Sequence, residues 1–354
     1  MHGSTRTPGR YATSLARKVR GTDPVALRRA TRTAEGGSRE RTGDDHPTHP
    51  RRSRTMTEKR VGVEFPSKVG IWWNSEAWPI REAQNVARDI EALGFGSLFM
   101  PEGGGKDVLV ESAAFLAATD RLVVGTGIAN IHVRLPMAAE TAGRTLSALH
   151  PGRFVLGLGV SHAPFVEQLV GNPYSKPLTT MRTYLERMDE VPAELESDGR
   201  ALRLLAALGP KMIELSGELA DGAHPYRVTP EQTRNTRSLL GPDRWIVSEQ
   251  AVAIGGDEAD QLRRAHEHLR LASSLPNYRN SWLRQGFDES DLVPGGSDRL
   301  ARALVGMGSA EQAAESATAH LNAGADHVAV QLLLDTPTTD PRPALRALAS
   351  ALKL

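Results

Sequence analysis

The sequence predicts a (β/α)8 TIM barrel, and three observations lead to this fold class. Short apolar segments alternate with helical patterns, and eight such units can be counted. The apolar segments are near-continuous, as expected for parallel strands that are buried on both faces. The eight units occupy about 290 residues, which is the range of a closed barrel. A doubly wound sheet is the competing fold, but this number of units favours closure.

The eight strands follow one another in chain order. The first four are expected at 68–73, 97–101, 121–130 and 153–159, and the last four at 201–209, 221–226, 244–255 and 326–333. The sixth segment is short and is placed where the alternation requires a strand. Gly125 and Gly127 interrupt the third segment. Glycine inside a strand indicates a bulge or the close approach of another group to the backbone.

The helices between these strands carry recognisable start and stop signals. Pro79 and Pro136 stand in first turns, where the missing N–H is tolerated, and Gly94 ends the first helix. Apolar residues at helical spacing define the other helices. The helices are expected at 79–93, 107–118, from 136 to 149, and at 178–190, 210–220, 230–239, 257–273 and 309–323.

Residues 274–308 interrupt the alternation near the C-terminal part of the chain. This insertion carries Tyr278, Trp282 and Phe287 among polar residues. Long insertions in a compact domain are often functional, and on a barrel they often cover the active site. We therefore expect 274–308 to be an active-site cover within a barrel domain of residues 56–354. A surface excursion is the alternative.

The first 55 residues differ in composition from the rest of the chain. They hold 13 Lys and Arg against 5 Asp and Glu, and they lack apolar periodicity. This composition predicts a disordered basic leader. The stretch "RRSRTMTEKRVGVEF" suggests a simpler account, in which Met56 is the natural start and the leader is an over-extended reading frame. A targeting peptide and a basic nucleic-acid arm are further alternatives, although there is no apolar core of a secretory signal.

Composition excludes several classes of function. The net charge of the whole chain is +1, which gives no case for nucleic-acid binding. No apolar run reaches about 18 residues, so no membrane span is indicated. The absence of cysteine excludes disulfides and thiolate metal sites, and it fits a cytoplasmic protein. The histidine spacings do not support a metal site either. We expect a small-molecule substrate, with no nucleic-acid or membrane partner.

Chemistry in a barrel lies where the carboxyl ends of the strands meet the following loops. Glu102 follows strand two, and Lys106 beyond it lacks the spacing of a phosphate-binding P-loop. His224 follows strand six. After strand five, successive backbone N–H groups precede a helix, which is a plausible phosphate cradle. The remaining strand-end candidates are Asn130, His132 and Arg134 after strand three, and Ser161 and His162 after strand four.

Three segments together resemble a known family. They are "LVVGTGIANIHVRLPMAAETAGRTLSALHPGRFVLGLGVSHAP", "LAALGPKMIELSGELADGAHPY" and "AGADHVAVQ". The combination resembles the luciferase-like monooxygenase superfamily and, more narrowly, is similar to its coenzyme F420-dependent oxidoreductases. The resemblance runs from about residue 67 to about residue 335, over the barrel units.

The resemblance implies a deazaflavin lying over the carboxyl ends of the strands. A non-prolyl cis peptide would form the bulge behind the ring at Gly127–Ile128, and Asn130 would reach the polar edge of the ring. A trans bond, with Ile128 filling the ring site, would count against deazaflavin binding. Backbone of the fourth strand end would line the ring or its side chain, namely Gly157, Gly159, Val160 and Ser161. The cofactor phosphate would meet the N–H groups of Ala206, Ala207, Leu208 and Gly209.

The implied chemistry is hydride transfer between C5 of F420 and a small organic substrate. The candidates for the catalytic groups are Glu102, His132, His162 and His224. Alcohol and sugar-phosphate dehydrogenases of the family have a histidine after strand two, whereas this chain has Glu102 nearby. That difference puts such substrates in doubt. Glu102 could act as acid or base, cap the next helix, or pair with Arg134.

For the histidines, structural roles are the alternatives. His162 could contact the cofactor or make a hydrogen bond at a helix start, and His132 could pack beside the Pro136 helix. Two other functions stay open: an FMN-dependent monooxygenase that uses a partner reductase and O₂, and a non-catalytic barrel that binds a flavin or deazaflavin. The resemblance also implies a homodimer.

Overall fold

Eight parallel strands close into a barrel, as predicted. The computed structural model describes residues 62–192 and 199–354, and the predicted leader, residues 1–55, lies outside the described residues. The strands in chain order are β1 (Val69–Trp72), β2 (Ser97–Met100), β3 (Val123–Thr126), β4 (Ala129–Asn130), β5 (Phe154–Gly159), β6 (Leu202–Leu205), β7 (Gly222–Ala223), β8 (Trp245–Ile254), β9 (Val305–Gly308) and β10 (His327–Leu332).

The barrel closes because β10 pairs with both β1 and β8. The order around the barrel is β1, β2, β3, β5, β6, β7, β8 and β10, and every pairing is parallel. The two-residue β4 continues the line of β3 and pairs with β5. β9 lies outside the ring and pairs with the last four residues of β8. The predicted TIM barrel is therefore confirmed.

Helices of the described ranges surround the ring, and eight of them lie within a few residues of their predicted bounds. They are α1 (Ile80–Ala92), α2 (Val108–Ala118), α3 (Pro136–Leu149), α4 (Ala163–Phe165), α5 (Pro177–Asp189), α6 (Pro210–Leu219), α7 (Pro230–Leu240), α8 (Glu258–Arg270), α9 (Pro276–Arg284), α10 (Asp298–Leu304), α11 (Ala310–Asn322) and α12 (Arg342–Leu352). None of the helices in the described ranges combines the length and the apolar character that a membrane span requires.

Side-chain caps define several helix starts. The Asp107 carboxylate accepts the N–H groups of Leu109 and Val110 at the start of α2. At α11, Ser309 and Gln312 form a reciprocal capping box. Such caps stabilise a helix by about 1 kcal/mol each, because they satisfy N–H groups that have no partner within the helix.

Two apolar layers hold the barrel together. One fills the space between the strands and the surrounding helices, with fully buried residues such as Val86, Ile90 and Phe115. The other fills the inside of the ring. Its buried members include Trp72, Phe99, Val123, Val155, Leu204, Val247 and Ala329. The ring is therefore a packed core, and a ligand has room only at its ends.

The insertion forms its own small core. α9, α10 and β9 lie within residues 274–308, and Tyr278, Trp282 and Phe287 are buried there against Leu300. Its contacts reach the carboxyl ends of several strands. The Trp282 indole N–H donates to the carbonyl oxygen of Arg227, which follows β7, at 3.1 Å. The insertion therefore adjoins the barrel mouth where a cover was expected.

Candidate functional site

Four buried polar atoms near the carboxyl ends of the strands have no hydrogen-bond partner among the described residues. They are Trp72 Nε1, Asn130 Nδ2, His224 Nε2 and Glu249 Oε1. A buried polar atom without a partner is destabilising by about 1–3 kcal/mol, so such atoms are uncommon in stable proteins. Their grouping at the end of the barrel where chemistry is expected indicates a site that a ligand completes.

Gly127 lies beside two of these atoms. A Cβ added to it would come within 2.5 Å of Trp72 Nε1 and 3.4 Å of His224 Nε2. The other ring nitrogen of His224, Nδ1, donates to the carbonyl oxygen of Val247 at 2.7 Å. Because that carbonyl can only accept, neutral His224 presents Nε2 as an acceptor. Burial lowers the pKa of His224 to about 4. It is therefore an acceptor, not a cation, at neutral pH.

The predicted cis peptide at Gly127–Ile128 is wrong, because the described residues contain no cis peptide bond. The trans bond avoids a penalty of about 3–4 kcal/mol, and in this form the Gly127 N–H donates to Met100 O at 2.6 Å. The Ile128 side chain covers Gly159, where an added Cβ would come within 2.5 Å of it. The trans bond and the Ile128 side chain over Gly159 therefore count against deazaflavin binding in the predicted position.

The other glycine predicted beside the cofactor is explained by the protein itself. A Cβ at Gly157 would come within 2.0 Å of the carbonyl oxygen of Thr126 on the neighbouring strand. Beyond it, Ser161 has a left-handed backbone with φ of 56°, which is uncommon for a residue with a side chain. Val160 is half-buried at this strand end. The cofactor contacts predicted for these residues stay predictions.

Glu102 is engaged by three donors. Its carboxylate forms a two-point ion pair with Arg134, and Oε2 also accepts the backbone N–H of Asn130 at 2.7 Å. Arg134 additionally donates to the Asn130 carbonyl oxygen at 3.1 Å. Of the alternatives for Glu102, this geometry fits pairing with Arg134. The arrangement fixes the backbone of Asn130 and leaves its side-chain NH₂ directed into a buried space without an acceptor.

His132 and His162 lie at different parts of the mouth. The His132 ring is half-buried beside Tyr174, with the ring centroids 5.8 Å apart. The His162 ring lies 5.5 Å from the ring of Tyr278 in the insertion. Burial lowers the pKa of both histidines, and the charge of Arg227 lowers that of His162 further. Catalytic roles for these two residues stay predictions.

The predicted phosphate cradle precedes α6. The N–H of Ala206 is wrongly included in it, because that group already donates to Leu158 O at 2.9 Å as the strand pairing continues. The N–H groups of Ala207, Leu208 and Gly209 have no acceptor among the described residues. Arg284 of α9 donates to the Leu208 carbonyl oxygen at 3.2 Å, which places a positive charge beside the helix start. This combination suits an anionic group.

Sequence reasoning missed two charged residues at the mouth, Arg227 and Glu249. Glu249 lies on β8 two residues after Val247, so both side chains point to the inside of the ring. Its Oε2 accepts the backbone N–H of Arg227 at 3.0 Å. Burial raises the pKa of Glu249 to about 7, although the Arg227 N–H and charge act in the opposite direction. The alternation of inward and outward side chains along β8 could have identified Glu249.

Comparison with known proteins gives one family match and several similar relatives. A family model described as luciferase-like monooxygenase matches residues 59–327. Over 202 residues the chain is 29% identical to a candidate coenzyme F420-dependent oxidoreductase of Mycobacterium tuberculosis (strain ATCC 25618 / H37Rv), covering 48% of this chain and 57% of that protein. Over 253 residues it is 24% identical to the 5,10-methylenetetrahydromethanopterin reductase of Methanolobus tindarius, covering 64% and 75%. The match with the mycobacterial protein thus spans less than two thirds of its length.

Solved structures share the fold at low identity. One is an F420-dependent secondary alcohol dehydrogenase in complex with an F420-acetone adduct, with a TM-score of 0.65 and 14% identity over 81% of this chain and 99% of that chain. Another is the oxygenating constituent of 3,6-diketocamphane monooxygenase from Pseudomonas putida in complex with FMN. Its TM-score is 0.59, with 15% identity over 81% and 96%.

Proposed function

Because the chain belongs to the luciferase-like monooxygenase family, we propose that it is an F420-dependent oxidoreductase acting on a small organic substrate. Relatives named for F420 occur both among the sequences and among the structures that it resembles. Within the molecule, the observation that supports the proposal most is the group of unpartnered polar atoms at the carboxyl ends of the strands. They provide donors and an acceptor for a polar, planar ligand.

Ile128 covers Gly159, where the ring was expected, but other residues fit a deazaflavin at several points. The NH₂ of Asn130 and the indole N–H of Trp72 are free to donate, and Nε2 of His224 is free to accept. The N–H groups that precede α6, with Arg284 beside them, would hold the phosphate. When bound and reduced, F420 supplies a hydride from its C5 position.

The protein's own part is positioning and proton management. The Glu102–Arg134 ion pair holds the Asn130 backbone and so fixes the direction of its amide. His224 stays neutral and can accept a proton or a hydrogen bond at Nε2. Glu249 can exist in both protonation states near neutral pH, which suits exchange of a proton during turnover. The insertion would limit the access of water to the mouth.

An FMN-dependent monooxygenase is the second candidate. The observation that favours it is the likeness to a structure that contains FMN. This function would require a reductase partner and O₂, and the same unpartnered donors could serve the polar edge of a flavin. Because the identity to that structure is 15%, the likeness shows a shared fold only. Binding experiments have to identify the cofactor.

Binding titrations separate the candidates. Purified full-length protein is titrated with F420 and separately with FMN, and fluorescence quenching is followed. We expect F420 to bind and Asn130→Ala to weaken binding about tenfold, because one hydrogen bond of about 1–1.5 kcal/mol is lost. Asn235→Ala, an exposed position on α7, is the matched control and should leave binding unchanged.

Two outcomes would contradict the proposal. Tight binding of FMN without binding of F420 would replace it with the monooxygenase. Binding of F420 without hydride transfer to any of a broad panel of enones, imines, aldehydes and alcohols would favour a non-catalytic barrel. An equal loss of affinity in Asn130→Ala and Asn235→Ala would remove Asn130 from the site.

A further inference from the structure

Arg227 has an unusual backbone at the barrel mouth. It follows β7 and adopts the left-handed region with φ of 57°, which is uncommon for a residue with a long side chain. Two side chains hold it there. Glu249 accepts its N–H at 3.0 Å, and Trp282 donates to its carbonyl oxygen at 3.1 Å. Strained conformations that the surroundings enforce in this way cluster at binding and catalytic sites.

The guanidinium of Arg227 lies over the rings of Tyr226 and Tyr278. Its central carbon lies 4.4 Å from the ring centroid of Tyr226 and 5.3 Å from that of Tyr278. The Nε–H donates to Nε2 of His268 at 3.2 Å, and Nη2 donates to the His268 carbonyl oxygen at 3.2 Å. The ring contacts and the hydrogen bonds together hold the guanidinium in place.

No carboxylate among the described residues forms an ion pair with Arg227. The contrast with Arg203 is informative, because Arg203 is buried and pairs with both Glu140 and Asp189. A guanidinium has five N–H groups, and the contacts with His268 and Tyr278 use three of them. Arg227 therefore keeps two donors at the mouth and has no carboxylate paired with its guanidinium.

The nearby histidines add no charge around the Arg227 guanidinium. Burial, aided by the charge of Arg227, lowers the pKa of His268 and of His162, so both rings are neutral near pH 7. Glu249 is the carboxyl group that interacts electrostatically with Arg227. Its hydrogen bond is with the Arg227 backbone N–H and not with the guanidinium, and burial raises its pKa to about 7. The positive charge is at most partly balanced by protein groups.

We propose that Arg227 binds an anionic oxyacid group, a carboxylate or phosphate, of a ligand that enters the barrel mouth. A planar guanidinium with two free N–H groups suits two-point binding of such a group. The inference rests on the proposed function, and deepens it, because it names the class of ligand. The anion belongs either to the substrate or to the side chain of the cofactor. In this arrangement Trp282 of α9 positions the arginine that binds the ligand.

The first test uses two probes of equal shape and different charge. Butyrate and butyramide are titrated against the full chain by ligand-observed NMR, in the wild type, in Arg227→Gln and in Arg227→Lys. We expect the wild type to prefer butyrate about tenfold, as a charged hydrogen bond contributes roughly 1.5–3 kcal/mol. Arg227→Gln should lose the preference, and Arg227→Lys should keep part of it. Arg182→Gln, at a half-exposed residue paired with Glu218, is the control.

The second test identifies the source of the anion. F420 and its deazaflavin core without the phosphate side chain are titrated against the wild type and Arg227→Gln. If Arg227→Gln binds F420 more weakly than the wild type but binds the core equally well, the anion belongs to the cofactor. Unchanged binding of both, with the butyrate preference lost, would assign it to the substrate. Melting temperature and circular dichroism establish that each variant is folded.

The proposal is overturned if the wild type does not distinguish butyrate from butyramide, or if a preference survives in folded Arg227→Gln. Failure of the proposed function looks different. In that case neither F420 nor its core binds the wild type, while the preference for butyrate over butyramide and its dependence on Arg227 persist.

Discussion

Gly125 and Gly127 lack side chains because aromatic groups of β2 and β1 occupy the space. A Cβ at Gly125 would come within 2.3 Å of the Phe99 ring, and one at Gly127 within 2.5 Å of the Trp72 indole nitrogen. The sequence suggests bare backbone beneath a cofactor, whereas the structure adds an internal reason. The glycines let two large rings fill the inside of the barrel, and Trp72 then presents its N–H beside His224.

Replacing Gly125 with alanine should therefore destabilise the fold. Phe99 is fully buried, so its ring cannot move into solvent, and overpacking of this kind is destabilising by about 1–3 kcal/mol. Gly199→Ala is the control, because nothing lies within 4 Å of a Cβ added there. Urea unfolding measures both free energies. Equal stability of Gly125→Ala and Gly199→Ala would show that the Phe99 ring does not require this glycine.

The residues of the candidate site were predictable to different degrees. Position after a strand directs attention to Asn130 and His224, because barrel chemistry has a fixed location, and both side chains hold a buried polar atom without a partner. For Glu102 the sequence left three roles open, pairing with Arg134 among them, and could not choose between them because the turn that brings Arg134 to it has a geometry the sequence does not define. Arg227 was missed for a similar reason. Its importance comes from a left-handed backbone and from contacts with residues distant in sequence.

At the level of elements, periodicity predicts most strands and helices within a few residues. The long segment at 121–130 divides into β3 and β4, because Gly127 and Ile128 leave the ladder between them. The elements within residues 274–308 were not predicted. β9 is a strand that only pairs with the end of β8, outside the ring, and no regular alternation requires it. Its existence depends on the length of β8.

Trp282 links the insertion to the barrel, and its loss should loosen α9 selectively. The side chain is fully buried, and a large-to-small change at such a position is destabilising by about 3–5 kcal/mol. In Trp282→Ala we expect amide hydrogen exchange to accelerate in Pro276–Arg284 more than in the barrel strands. Mass spectrometry of peptides measures this difference.

Two further variants test the cause of that loosening. Trp282→Phe keeps most of the packing and loses the bond to Arg227 O, so it should lie between wild type and alanine. Leu283→Ala removes a neighbouring, exposed side chain and should change stability by less than about 0.5 kcal/mol. Uniform acceleration throughout the barrel in Trp282→Ala would mean that the insertion does not unfold as a separate unit.

At the level of the whole molecule, the barrel buries histidines in their neutral form. Nδ1 of His320 contacts the Thr233 hydroxyl and its Nε2 contacts Gln250, both at 2.8 Å. Nε2 of His327 contacts the hydroxyl of Ser97 at 2.6 Å. Burial lowers the pKa of His224 and His320 to about 4 and that of His327 to about 3, from an ordinary value of 6.5. These side chains connect strands and helices around the ring.

Stability should consequently fall on mild acidification. A histidine whose pKa is lowered in the folded state is protonated first in the unfolded chain as the pH falls. Its contribution to the free energy of unfolding is therefore fully present above pH 6.5 and is lost as the pH falls towards about 4. Glu249 acts in the opposite direction, since its raised pKa makes the folded state the stronger proton binder between about pH 4.5 and 7. Three such histidines oppose one glutamate, so the free energy of unfolding should decrease from pH 7 to about pH 4.5.

Urea unfolding at several pH values between about 7 and 4.5 measures this decrease, each unit of pKa difference being equivalent to about 1.4 kcal/mol. His320→Gln should be less stable at pH 7 but should show a shallower dependence on pH, because one lowered pKa is removed. Asn235→Ala, at an exposed position on α7, removes no titratable group and should keep the wild-type slope. A slope that is the same in His320→Gln and wild type would mean that His320 is not held neutral by the fold, and that carboxylates or other histidines carry the pH dependence.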